Sequence, residues 1–184
     1  MTAKERWIAL AVVAVLAVFA GVRGRGWLTG GGDVVRSAPA PRRLPDGPLT
    51  VKLPGGGELD LAKPPGKVLV VHFWATWCPP CVEELPSLLA YANEIRGNPA
   101  MELVAVSLDD GFPTVDRWLK ERQAEALPIA LDVGRAVATR FGTEKVPETY
   151  VISPSGEILD YVKGPLDWRS PEWRQRLTLF LKGG

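Results

Sequence analysis

Residues 68–74, Val-Leu-Val-Val-His-Phe-Trp, form a continuous apolar run that a single histidine interrupts. A strand with one face in water alternates between apolar and polar residues, whereas a continuous run is typical of a strand covered on both faces. The valines are β-branched and favour an extended backbone. The run therefore predicts a central strand with helices packed on both sides of its sheet, which is an α/β fold.

The chain from residue 49 onward alternates between strand-like and helix-like segments. Two hairpins are predicted where strand pairs flank turns containing Gly and Pro, at residues 49–53 with 58–61 and at 149–152 with 158–162. Two further strands are predicted at residues 103–108 and 128–131. The predicted helices cover residues 80–95, 114–123, 135–141 and 171–182. The first hairpin is then an N-terminal addition to a layered domain that we predict to span residues 49–184.

The first 48 residues differ from the rest in charge and in hydrophobicity. They carry seven Lys or Arg against three Asp or Glu, whereas residues 49–184 carry 15 against 18. Residues 7–22 have no charge and as a helix would span about 24 Å, slightly less than a ~30 Å hydrocarbon core. We predict that residues 1–23 are a membrane anchor; the alternative is a secretory signal with a cleavage site at Val18-Phe19-Ala20. Under both interpretations the rest of the chain is exported.

Residues 24–48 contain three successive glycines and a proline-rich stretch, and they show no hydrophobic period. They predict a flexible linker between the anchor and the domain. The domain has a small net negative charge and no basic patch, which argues against a nucleic-acid partner. Two cysteines and one histidine, His72, cannot supply the four ligands of a structural zinc site, and no cofactor motif occurs. We therefore expect no metal and no cofactor.

The two cysteines of the chain, Cys78 and Cys81, are separated by two prolines. A structural disulfide stabilises a fold mainly by closing a long loop of the unfolded chain. A bridge between Cys78 and Cys81 would close almost no loop, so the pair is better suited to opening and closing as a redox couple. The alternative is that the protein is not an enzyme but a membrane-tethered scaffold, in which the disulfide is inert.

The cysteines lie between the predicted strand 68–74 and the predicted helix 80–95, so Cys78 falls at the helix N-cap. The positive end of the helix dipole stabilises a thiolate there, and the thiolate is the nucleophile in disulfide exchange. Prolines at 79 and 80 fit the first turn but remove two N–H groups that could bond this thiolate. A less stabilised thiolate predicts a reductant rather than a strong oxidant. Cys81, one turn further on, is predicted to be buried and to resolve the mixed disulfide.

Two further residues join the predicted site by position. Glu84 comes three residues after Cys81, on the same face of the predicted helix. A buried carboxylate there could exchange a proton with Cys81, and a solvent-exposed helix glutamate is the equally simple alternative. Pro147 precedes the predicted strand 149–152, where it could be a strand-entry proline with an ordinary trans bond.

Three motifs together resemble a thioredoxin-fold protein: residues 73–81, with Trp-Cys-Pro-Pro-Cys; residues 84–86, Glu-Leu-Pro; and residues 146–149, Val-Pro-Glu-Thr. More closely, they are similar to the membrane-anchored TlpA/ResA/CcmG group of thiol–disulfide oxidoreductases. The resemblance covers residues 49–182. It implies a thioredoxin-like three-layer α/β fold with a central mixed sheet, extended by the N-terminal β-hairpin and preceded by one transmembrane or signal segment.

The resemblance also implies roles for individual residues. It makes Cys78 and Cys81 the redox couple and Glu84 the group that manages the Cys81 proton. It implies that the peptide bond before Pro147 is cis and that this proline packs against the cysteine pair. The implied substrate-binding positions are Trp77, Pro79, Val146 and Pro147.

His72 departs from thioredoxin itself, which has a buried aspartate at the matching position, six residues before the first cysteine. The departure fits the anchored group, in which the acid lies on the helix instead. We interpret His72 as a strand residue with a hydrogen-bond partner, and a direct catalytic role is the alternative.

The resemblance implies partners and a location as well. The expected substrate is a disulfide in an exported protein, with apocytochrome c as the candidate. Because no cofactor motif occurs, the electrons are expected from a membrane thiol reductase. The expected location is the periplasmic side of a bacterial cell envelope, where residues 7–22 anchor a monomer to the inner membrane.

The motifs leave one other function of the same fold open and argue against two. A general TlpA-like redox protein with another substrate, as in copper-site or cytochrome oxidase maturation, stays open. A copper-delivery protein would need a C-x-x-x-C spacing and a distant histidine, and neither occurs. A peroxidase would need a separate peroxidatic cysteine with threonine and arginine companions, which the chain lacks.

Overall fold

The structure is a computed structural model, and it describes residues 43–64 and 66–182. The predicted anchor, residues 1–23, and most of the predicted linker lie outside these ranges. Within them, none of the helices combines the length and the apolar character that crossing a membrane requires.

The described residues form seven strands, four α-helices and two short 3₁₀ turns. The strands are β1 Thr50–Lys52, β2 Glu58–Asp60, β3 Val68–Trp74, β4 Met101–Ser107, β5 Ile129–Leu131, β6 Glu148–Ile152 and β7 Ile158–Lys163. The α-helices are α1 Pro79–Glu94, α2 Phe112–Glu121, α3 Ala136–Phe141 and α4 Pro171–Lys182. The 3₁₀ turns are Pro54–Gly56 and Val133–Arg135. Each predicted strand and helix is confirmed, with ends that differ by no more than two residues.

The seven strands form one mixed sheet in the order β2-β1-β5-β4-β3-β6-β7. Strand β3 pairs in parallel with β4 and antiparallel with β6. The two predicted hairpins, β1 with β2 and β6 with β7, are antiparallel and lie at opposite edges of the sheet. The mixed sheet and the N-terminal hairpin are therefore confirmed.

Strand β3 is buried along its whole length, as its apolar run predicts. Neighbouring side chains of a strand point to opposite faces of the sheet. Phe73 packs against Phe141 of α3, with ring centroids 5.3 Å apart, whereas His72 contacts Glu84 of α1. Helices thus cover both faces, which gives the three layers that the resemblance implies.

Helix α2 begins and ends two residues earlier in the chain than predicted, at residues 112–121 instead of 114–123. It begins at Phe112, since a proline at position 113 fits the first turn of a helix, where no intrahelical N–H bond is lost. It ends before Gln123, which has a left-handed φ of 53°. The following N–H, of Ala124, donates to the Leu119 carbonyl at 2.9 Å and closes the helix end.

Packed structure begins before residue 49, the predicted start of the domain. Leu44 is partly buried against the core. The guanidinium of Arg140 donates hydrogen bonds to the carbonyl oxygens of Asp46 and Pro48. The last residues of the predicted linker therefore contact the domain, because a side chain of α3 satisfies their carbonyl groups.

Candidate active site

The two cysteines form a disulfide at the N-terminus of α1, where β3 ends. Their Cα atoms are 5.3 Å apart. Cys78 is the N-cap residue, and its Sγ accepts the N–H of Cys81 at 3.3 Å. The prolines at 79 and 80 occupy the first turn, so the prediction for this junction is confirmed.

The disulfide is buried, but exposed residues border it. Cys78 and Cys81 are 3% and 2% exposed. Trp77 is 60% exposed, and Pro79 is exposed beside it. The burial predicted for Cys81 therefore applies to both cysteines in the oxidised protein, and the accessible surface at this end of α1 belongs to Trp77 and Pro79.

The peptide bond between Val146 and Pro147 is cis and faces the disulfide. Sγ of Cys78 lies 3.5 Å from the carbonyl oxygen of Val146, which is half-buried. The Pro147 carbonyl accepts the N–H of Gly164 at 2.9 Å, so the loop is also held from β7. The alternative of an ordinary trans strand-entry proline is wrong, and the cis bond implied by the resemblance is confirmed.

Glu84 is buried, so the alternative of a solvent-exposed helix glutamate is wrong. Its side chain is 2% exposed, and Oε2 accepts the backbone N–H of Leu166 at 2.7 Å. Its other oxygen, Oε1, lies 3.1 Å from Nε2 of His72. The spacing along α1 could not decide this, because both partners come from distant parts of the chain.

His72 has the hydrogen-bond partner that was predicted for it. Its Nδ1 lies 3.0 Å from Oγ1 of Thr149, the residue directly opposite it in the β3–β6 register. The ring packs edge-on against Trp168, with centroids 5.2 Å apart. The second contact, from Nε2 to Glu84, is a connection that sequence reasoning missed.

Asp109 is a further residue of the site that sequence reasoning missed. It is 4% exposed, and it accepts the N–H and the hydroxyl of Thr76 at 3.0 and 2.6 Å. The hydroxyl of Ser107 donates to the same carboxylate at 2.7 Å. Because β3 and β4 are parallel, their carboxyl ends meet at one edge of the sheet, and an acidic residue just after β4 was the available signal.

A cysteine pair that follows a central strand, caps a helix and faces a cis-proline is the arrangement of a thioredoxin-like thiol–disulfide oxidoreductase. The sequence model of the AhpC/TSA family matches residues 42–161. The chain is 35% identical over 157 residues to a thiol:disulfide interchange protein, a DsbE homolog of Paracoccus denitrificans, covering 84% of this chain and 83% of that protein. It is 37% identical over 101 residues to the thiol-disulfide oxidoreductase ResA of Oceanobacillus iheyensis, covering 55% of this chain.

Solved structures agree with this fold. StoA from Bacillus subtilis superimposes with a TM-score of 0.58 at 25% identity, covering 68% of this chain and 94% of that one. A putative thioredoxin from Neisseria meningitidis does so with a TM-score of 0.65 at 25% identity, covering 78% and 93%. The match to the Oceanobacillus ResA spans about half of that relative, 52% of its length. The chain belongs to the AhpC/TSA family, among its thioredoxin-like thiol–disulfide oxidoreductases.

Proposed function

We propose that this protein is an exported thiol–disulfide oxidoreductase that reduces disulfides of other exported proteins through Cys78 and Cys81. One observation carries the proposal: the cysteine pair lies at the N-terminus of α1, with the Cys78 sulfur against the backbone of Val146. A helix N-terminus stabilises a thiolate, and a partly accessible backbone beside it can hold an extended substrate segment.

The proposed reaction begins from the reduced protein. The Cys78 thiolate attacks one sulfur of the substrate disulfide, and the other substrate sulfur leaves with the bonding electron pair and takes up a proton. Cys81 then loses its proton to Glu84 and attacks Sγ of Cys78, which releases the second substrate thiol. The substrate gains two electrons, and the protein is left with the disulfide between Cys78 and Cys81.

Substrate contact is proposed for Trp77, Pro79, Val146 and Pro147. The cysteines themselves are nearly buried in the oxidised protein, whereas Trp77 and Pro79 are exposed next to them. An apolar side chain of the substrate would gain free energy by covering the Trp77 ring. The substrate backbone would run along Val146, whose carbonyl oxygen lies beside the reactive sulfur.

The direction of reaction, as a reductant, is supported by the hydrogen bonds to Cys78. In the described part of the chain, the N–H of Cys81 is the one amide that donates to this sulfur. The two prolines before Cys81 have no N–H to add. With fewer donors the thiolate of the reduced form is less stable. The reduction potential of the couple is therefore lower, which suits a reductant.

The substrate, the electron donor and the location extend the proposal. Two of the relatives are thiol:disulfide interchange proteins: the DsbE homolog of Paracoccus denitrificans and the HelX protein of Rhodobacter capsulatus. We propose a periplasmic monomer anchored to the inner membrane by residues 7–22, with a membrane thiol reductase as donor. The proposed substrate is the haem-attachment disulfide of apocytochrome c. Copper-site or cytochrome oxidase maturation is the alternative use of the same chemistry.

The proposal is tested by trapping the mixed disulfide. In cells that produce the Cys81→Ala variant, Cys78 can attack a substrate but nothing resolves the product, so a covalent complex should accumulate. Mass spectrometry of the trapped partner then identifies the substrate. The Cys78→Ala variant is the matched control and should trap nothing.

The alternative of an inert scaffold makes the opposite prediction. It expects no covalent complex with either variant, and it expects Cys78 to resist alkylation after mild reduction. That pair of results would contradict the proposed exchange reaction.

A further inference from the structure

Three buried polar side chains form a continuous chain of contacts on the elements that flank the cysteine pair. Oγ1 of Thr149 lies 3.0 Å from Nδ1 of His72, and Nε2 of His72 lies 3.1 Å from Oε1 of Glu84. Thr149, His72 and Glu84 are 0%, 1% and 6% exposed. They come from β6, β3 and α1, so the fold and not the local sequence brings them together.

Thr149 determines which ring nitrogen of His72 carries the proton. Among the described residues, Nδ1 of His72 is the one hydrogen-bond partner of the Thr149 hydroxyl. A buried hydroxyl hydrogen needs an acceptor, so this geometry favours donation from the hydroxyl to Nδ1, which then has no proton of its own. In a neutral imidazole the proton then lies on Nε2, which is the nitrogen that faces Glu84.

Glu84 depends on this donor because its carboxylate is buried. Oε2 accepts the N–H of Leu166, whereas the one polar group recorded close to Oε1 among the described residues is Nε2 of His72. The two atoms are 3.1 Å apart but do not form a hydrogen bond in the oxidised protein, so their attraction there is electrostatic. A buried carboxylate is unfavourable as an anion unless polar groups face it, and Nε2 of His72 is the group that faces Oε1.

The other charged groups near this pair lie toward solvent. Glu83, Asp167 and Arg169 line a cleft of about 350 Å³ that reaches Glu84. Within the described ranges, no Lys or Arg forms an ion pair with Glu84, and its one close ionisable partner is His72. Glu84 is one of the residues that line this cleft, which opens to water.

We propose that His72 is a positioning residue for disulfide exchange: it orients Glu84 and keeps its carboxylate ready to accept the Cys81 proton, and Thr149 sets the tautomer that this requires. The inference rests on the proposed function. In the step concerned, the thiol proton of Cys81 moves to Glu84, and the Cys81 thiolate attacks Sγ of Cys78. The substrate sulfur leaves with the electron pair of the mixed disulfide, and Glu84 returns its proton to water through the cleft.

The tautomer can be observed directly, because His72 is the only histidine of the chain. We expect nitrogen NMR of the full-length, histidine-labelled protein at neutral pH to place the proton on Nε2. The Thr149→Ser variant retains the hydroxyl and should retain this tautomer, whereas Thr149→Val should lose the preference. A proton on Nδ1 in the unsubstituted protein would overturn the assignment.

The effect on exchange is measured in a single turnover. Cys78 is loaded with glutathione as a mixed disulfide, and the release of glutathione by Cys81 is followed across pH. His72→Leu removes the ring that faces Oε1 and should slow release at neutral pH by about tenfold to a hundredfold, the range for leaving a buried polar group without its partner. His72→Gln keeps an N–H donor and should restore much of the rate.

A background variant separates positioning from packing. In Glu84→Gln protein there is no carboxylate to ionise, so the His72→Leu and His72→Gln variants should release glutathione at equal rates. An equal loss for His72→Leu with and without Glu84 would mean that His72 acts through packing alone, and it would overturn the inference.

The two proposals can fail separately. If the unsubstituted protein does not release glutathione at all, the exchange function itself is wrong. If the unsubstituted protein releases glutathione and the His72→Leu variant has the same pH profile, only the proposed role of His72 is wrong. If the His72→Leu variant does not fold, the Thr149→Val variant can be compared with the Thr149→Ser variant instead, using the same release rate and pH profile.

Discussion

The carboxylate of Asp109 holds the loop that connects β3 to the cysteine pair. It accepts two hydrogen bonds from Thr76 and one from Ser107, at 2.6–3.0 Å. Trp77 and Cys78 follow Thr76 directly, so their backbone is fixed at one end by this buried anion. Without the carboxylate, the buried Ser107 hydroxyl and the two partly buried donors of Thr76 would lose their acceptor, which is unfavourable.

We predict that Asp109→Ala lowers the free energy of unfolding of the oxidised protein by about 3 kcal/mol, because several buried donors lose a charged acceptor at once. Denaturant titration measures the change. Asp110→Ala is the matched control, since Asp110 is the exposed neighbour and its loss should change stability by less than about 0.5 kcal/mol. Equal stabilities of the two variants would contradict the role of Asp109.

At the scale of one element, the N-terminus of α1 controls the chemistry of Cys78. A side chain at an N-cap ordinarily accepts N–H groups from the second and third helical residues. Here the third residue, Cys81, donates at 3.3 Å, whereas the second, Pro80, has no N–H to donate. The helix therefore offers the Cys78 thiolate one of the two donors that this position can provide.

We predict that Pro80→Ala makes the protein a stronger oxidant. The new N–H can donate to the Cys78 thiolate, and a hydrogen bond to a charged group of about 1.5 kcal/mol corresponds to roughly 30 mV for this two-electron couple. Equilibration against glutathione measures the reduction potential.

Pro79→Ala is the matched control for this change. It restores an N–H at the first helical residue, which does not point at the cap side chain, so its potential should stay close to that of the unsubstituted protein. A lower potential for Pro80→Ala than for Pro79→Ala would contradict the explanation.

At the scale of the whole molecule, burial extends to all three tyrosines of the chain. Burial raises the pKa of Tyr91 and of Tyr150 to about 12, from an ordinary value of 10.0. Burial also raises the pKa of Tyr161, together with its hydrogen bonds to Glu148 and Tyr150. The Tyr150 and Tyr161 rings stack 4.5 Å apart. The folded protein therefore favours the neutral form of each tyrosine.

We predict that tyrosine ionisation and alkaline unfolding occur together. A group whose pKa is raised on folding contributes stability that is complete below its unfolded pKa of 10.0 and is lost as the pH rises toward about 12. An ultraviolet titration should show no tyrosinate at pH 10, followed by its cooperative appearance with loss of the circular dichroism of the fold. Half-ionised tyrosine at pH 10 in folded protein would contradict this.

Much of the architecture could be predicted because it depends on neighbours in sequence. The apolar run of β3, the prolines at the start of α1 and the N-cap position of Cys78 follow from local periodicity and backbone preferences. The two hairpins follow from their turn residues in the same way. The motifs around the cysteines were sufficient to indicate the family.

What only the tertiary structure decided are the contacts between distant residues. Glu84 is buried because the N–H of Leu166, 82 positions away, reaches its carboxylate. His72 bonds Thr149 across 77 positions, and Asp109 holds Thr76 across 33. Local sequence determines where a strand or a helix forms, but a hydrogen bond between elements depends on how the sheet is ordered and how the helices pack. The sequence by itself determined the cysteine pair and its place at a helix N-terminus; the buried partners of that pair depended on the folded chain.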